Sequence, residues 1–60
     1  MNENEAIKIV LEAAFEYAHY CDKERWKDTK DGHAASATYW EVRAEVTRIA
    51  ITKMKDIYDL

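Results

Sequence analysis

Three groups of residues in this 60-residue sequence combine types and spacing that could do chemistry. Glu16 and His19 stand in the Glu-x-x-His spacing of carboxylate-bridged di-metal bundles, and Glu41 or Glu45 could add carboxylates from a facing helix. A helical wheel turns Glu16 and His19 away from the apolar face where such a site must lie. The expectation is therefore a solvated helix surface and no metal. Asp31, His33 and Ser36 are the residue types of a nucleophilic triad, but they crowd one turn and the start of a helix, where capping accounts for them. With no glycine-rich phosphate loop, no Cys-x-x-Cys and no nucleophile elbow, the chain reads as non-enzymatic and without a cofactor.

The third group is Arg43 and Lys53, two cations set among apolar residues. Long stems can snorkel from such positions. They can also pair across an interface with acids of a second chain and set its register. A further reading is an anion site: Tyr17 should lie across from Arg43, with Tyr39 and Trp40 within a turn of it. Tyr17, Tyr39, Arg43 and Lys53 together could hold a nucleotide-like or phosphate-bearing ligand between protomers. Near the middle of the chain Lys23, Arg25, Lys27 and Lys30, beside Trp26 and His33, could grip RNA. Asp22, Glu24, Asp28 and Asp31 are interleaved and cancel most of that field, so nucleic acid is disfavoured and a solvated, ion-paired tip is expected.

The elements that must position these residues are two helices. Asp28-Thr29-Lys30-Asp31-Gly32 holds the only glycine, and the sequence has no proline. On either side, nothing breaks a helix over about 3–28 and about 33–58, with a turn at about 29–32. Asn2 or Asn4 can cap the first helix; Asp31 is the expected cap of the second, with Thr29 and Ser36 as alternatives. The fold class is all-α: residues 1–60 form one antiparallel helical hairpin.

The first arm has a heptad seam of Ile7, Leu11, Ala14, Ala18 and Cys21, flanked by Ala6, Ile9, Val10, Ala13, Phe15, Tyr17 and Tyr20. That surface is too wide for one neighbouring helix. The second arm carries two stripes. One runs Ala35, Tyr39, Val42, Val46, Ile49, Lys53, with Ala50 and Ile57 beside it. The other runs Trp40, Ala44, Thr47, Ile51, Met54, Tyr58. Closing the turn is expected to set Cys21 near Tyr39, Ala18 near Val42, Ala14 near Val46 and Leu11 near Ile49. The first stripe then belongs to the hairpin, and the second is the self- or partner-interface. On that reading Ile51→Glu damages association and Ile49→Glu damages the hairpin.

Size and charge bound the rest. A chain of this length buries only about 60% of its unfolded surface, so an isolated monomer is marginal. Cys21 is the only cysteine, so no intrachain disulfide can help. The net charge of −3 is that of a cytoplasmic protein, of the wrong sign for general DNA binding. Apolar runs are too short for a membrane span, and the first residues do not read as a signal peptide. The expectation is a homodimeric four-helix bundle, or a higher even oligomer, that binds another protein as a regulator, inhibitor or adaptor.

Overall fold

The computed structural model describes residues 2–60. It contains two helices, α1 (Glu3–Lys30) and α2 (Ala34–Tyr58), folded back on each other as a hairpin, with no strand among the described residues. The Asn2 side chain accepts the Glu5 backbone N–H at 2.9 Å and so satisfies one of the free donors at the start of α1. Glu3 and Glu5 in the first turn and Lys27 and Lys30 in the last complement the helix dipole.

The turn is a Schellman motif. The His33 N–H donates to the Asp28 carbonyl at 2.7 Å and the Gly32 N–H donates to the Thr29 carbonyl at 3.2 Å, closing the end of α1. This geometry needs a left-handed residue, and Gly32 supplies it at φ 79°. A Cβ at Gly32 would meet nothing within 4 Å, so the demand is conformational and not one of space.

Two expectations about the turn change. Asp31 is the C-cap of α1, not the N-cap of α2. His33 occupies the N-cap position, and its side chain makes no capping bond there. Asp28 ties the corner together: it accepts a hydrogen bond from Ser36 Oγ and lies 3.9 Å from His33 Nδ1.

The two stripes of α2 are also exchanged. Leu11, Ala18 and Cys21 of α1 pack against Ala37, Ala44 and Ile51 of α2, and among the described residues these six make up the buried core. Cys21 is fully buried, while Ala44 and Ile51 are only 3% and 4% exposed. Trp40, Thr47, Met54 and Tyr58 are half-buried beside them, and the Thr47 hydroxyl is satisfied by the Arg43 carbonyl at 2.7 Å. The stripe assigned to another chain is therefore the one that closes the hairpin. Tyr39, Val42, Val46 and Ile49, expected to face α1, are all more than half exposed or close to it.

The reason is where the turn is centred. α1 continues to Lys30, two residues beyond the expected end, and the reversal centres on Gly32. The position on α2 that faces a given residue of α1 thereby moves by about two residues, from Val42 to Ala44 and from Ile49 to Ile51, which is roughly half a helical turn and changes the stripe presented. Small side chains on both seams suit the close approach of the two helices.

Candidate functional site

The hairpin is a slab, 45 × 18 × 11 Å along its principal axes. Its two broad faces are chemically different because the residues flanking each seam differ. On one face, Arg48 of α2 reaches across to Asp22 of α1, with guanidinium-to-carboxylate distances of 2.5 and 3.3 Å. Arg48 holds the Asp22 carboxyl below its usual range, chiefly through this hydrogen bond. Lys55 lies over the Phe15 ring at 5.3 Å on the same side. An open groove of about 760 Å³ runs from Asp22, Arg25 and Arg48 round α2 to Ile49 and Lys53. Its acids and bases alternate, so it has no strong sign.

The opposite face is apolar and aromatic. Helical spacing places Val10, Ala13, Tyr17 and Tyr20 of α1 and Tyr39, Val46, Ala50 and Ile57 of α2 on it. Arg43 lies near its centre. Arg43 Nε donates to Tyr17 Oη at 2.6 Å, and its guanidinium sits 5.6 Å from the Tyr17 ring and 5.5 Å from the Tyr39 ring. That hydrogen bond raises the Arg43 pKa further above its already high ordinary value. The rings continue as a chain: Tyr17 stacks on Tyr20 at 6.3 Å, Tyr20 meets Trp40 edge-on at 5.5 Å, and Trp40 meets Tyr39 edge-on at 5.0 Å. Such contacts stabilise by about 0.5–1.5 kcal/mol per aromatic pair beyond area burial.

The candidate anion group is thus assembled in part. Tyr17, Tyr39 and Arg43 come together, whereas Lys53 lies ten residues further along α2, about 15 Å away, and lines the charged groove. Of the set read as a self- or partner-interface, Ala44 and Ile51 are buried within the chain and Trp40, Thr47, Met54 and Tyr58 are half-buried there. The Asp22–Arg48 pair and the Phe15–Lys55 contact were not anticipated. Centring the turn on Gly32 would have put each pair on one flank, and that was the signal available.

The other groups resolve differently. Glu16 and His19 are exposed, and among the described residues no group of three or more His, Cys, Asp or Glu could hold a metal ion. His33 and Ser36 each engage Asp28. At the hairpin tip Lys30 lies 5.1 Å over the Trp26 ring, which leaves one face of that indole occupied by the chain's own cation. Among the described residues no helix is long and apolar enough to cross a membrane. Comparison with protein-family models, curated proteins and solved structures finds no match to this chain.

Proposed function

We propose that this chain is a non-enzymatic helical protein that self-associates, two hairpins stacking their apolar broad faces into a four-helix bundle, and that it acts by binding another protein as a regulator, inhibitor or adaptor. The observation that carries the reading is the apolar broad face itself, where Val10, Tyr20, Tyr39, Val46 and Ile57 are each half or more exposed. Exposed apolar area gathered on one side of a small molecule marks an interface.

Two magnitudes support it. The accessible surface is 4650 Å², whereas a compact monomer of this mass should expose about 4,100 Å². The slab's broad face, 45 × 18 Å, matches the roughly 800 Å² per partner that a stable interface covers. The internal core is also thin: among the described residues, Leu11 and Ile51 are its only large aliphatic side chains, and the rest is alanine and cysteine.

Stacking on the apolar face leaves the charged face outward, with Phe15, Trp26 and the groove beside Asp22 and Arg48. Aromatic and arginine side chains on a charged surface are what protein partners use as anchors. Sedimentation of the full chain at micromolar concentration tests the assembly, and Trp26→Ala with Phe15→Ala tests the outward face. A double variant that keeps the dimer but loses a protein recovered from the native host supports the reading. Unchanged recovery removes the charged face from it.

A further inference from the structure

Arg43 sits where a stacked dimer would have to bury it. Tyr17, to which it is bonded, lies near the middle of the 28 residues of α1. Two slabs stacked as a two-fold dimer can be related by an axis along the helices or by one across them. The first keeps every height unchanged, and the second inverts heights about the middle. A residue near mid-length stays in the central layer under both, so the two copies of Arg43 share one layer with both copies of Tyr17 and Tyr39.

That layer has an excess of positive charge and spare donors. Only Nε of Arg43 is used, by Tyr17; the two terminal amino groups have no partner among the described residues. The acid nearest along this face is Glu24, two turns from Tyr17, about 10 Å away. Glu16 and Glu45 sit round the outer edges of their helices, and Asp22 is engaged by Arg48 on the other face. Covering two guanidinium groups without a counter-charge is costly, and a planar guanidinium recognises an oxyanion through paired N–H donors.

We propose that the central layer of the dimer is an oxyanion site, in which the terminal amino groups of Arg43 from the two copies converge on one phosphate group between walls made by Tyr17 and Tyr39. This inference rests on the stacked dimer proposed above. The ligand class is a small phosphate-bearing molecule. Inorganic phosphate supplies the recognised group alone, and a nucleoside monophosphate adds a base that the Tyr20 and Trp40 rings can stack on.

The test measures the dimer dissociation constant of the full chain by sedimentation, with phosphate or AMP replacing chloride at constant ionic strength. If the site binds phosphate with a millimolar constant, about 10 mM phosphate should tighten wild-type association about tenfold by mass action. Arg43→Met should not respond, and in chloride it should associate at least as tightly as wild type, because the buried like charges are gone. Arg43→Lys keeps the charge but not the fork, and should respond more weakly than wild type. Should Arg43→Met fail to fold, broadening of the phosphorus resonance of phosphate by wild type, and its reduction with Arg43→Lys, decides the matter.

A greater effect of AMP assigns the site to nucleotides, and an equal effect assigns it to the phosphate group. A dimer that responds no differently to phosphate, AMP and chloride overturns the oxyanion site and leaves the dimer standing. A chain that stays monomeric in all three overturns the dimer, and the site with it.

Discussion

Replacing Ile51 with alanine should cost this protein several times what replacing Ile49 does, although the two side chains are identical and two positions apart. Ile51 is 4% exposed in the seam between the helices, and Ile49 is 50% exposed on the outer side of α2. Removing a buried isoleucine to alanine costs about 2–5 kcal/mol, the upper part of that range applying where the surroundings cannot collapse. A chain of this length has a total stability of about 3–9 kcal/mol. With Leu11 the only other large aliphatic side chain in the core, losing Ile51 removes a large share of that total. Ile49→Ala leaves no internal cavity and gains a little helix propensity, so its effect on the isolated hairpin should fall within about 0.5 kcal/mol. Urea unfolding followed by helical circular dichroism, repeated over a wide range of protein concentration, separates the two. Ile51→Ala should lower the midpoint at every concentration. Ile49→Ala should do so only to the extent that association contributes. Equal losses at the lowest concentration would refute the exchanged stripes and mean that both residues share one continuous core.

Other perturbations test the remaining parts of the account. Gly32→Ala should lower stability by about 1–2 kcal/mol through its left-handed backbone alone, because an added Cβ there meets nothing; Gly32→Asn should cost less, and thermal melts rank them. Asn2→Ala should cost about 1 kcal/mol by leaving the Glu5 N–H without its cap, also read by thermal melting. Arg48 lowers the Asp22 carboxyl pKa, so this pair should add stability above about pH 4, the ordinary value of the group. That contribution is lost as pH falls through the lowered folded-state value, and the effect is small because both ends are solvent-exposed. The difference in unfolding midpoint between wild type and Asp22→Asn should therefore shrink in acid; a difference that persists there would contradict the assignment.

Much of the fold was legible because its signals are local. The single glycine, the uninterrupted apolar periodicity and the clustered small residues of Ala14, Ala18 and Cys21 are enough to indicate two long helices and a reversal. Helix rotation is a different kind of quantity. It depends on where the turn is centred, and Lys30 and Asp31 look equally at home in a last helical turn or in a loop. That ambiguity of two residues was sufficient to interchange Ile49 and Ile51. The Tyr17–Arg43 pairing survived the change because both side chains are long and lie on one flank, where reach compensates for register. Lys53 left the group because it is separated from Arg43 along the helix, a distance that no rotation alters.

In the proposed assembly, the face bearing Tyr39, Val46 and Ile57 is covered by a second copy. Sedimentation equilibrium of wild type and Val46→Glu at micromolar concentration tests this most directly. Val46 is 58% exposed and contributes nothing to the internal core, so a charge there should leave the hairpin intact while placing an unpaired carboxylate in the interface. Wild type should sediment as a dimer, and Val46→Glu as a largely helical monomer. A well-folded monomeric wild type, or a Val46→Glu variant that associates as tightly as wild type, would contradict that assembly.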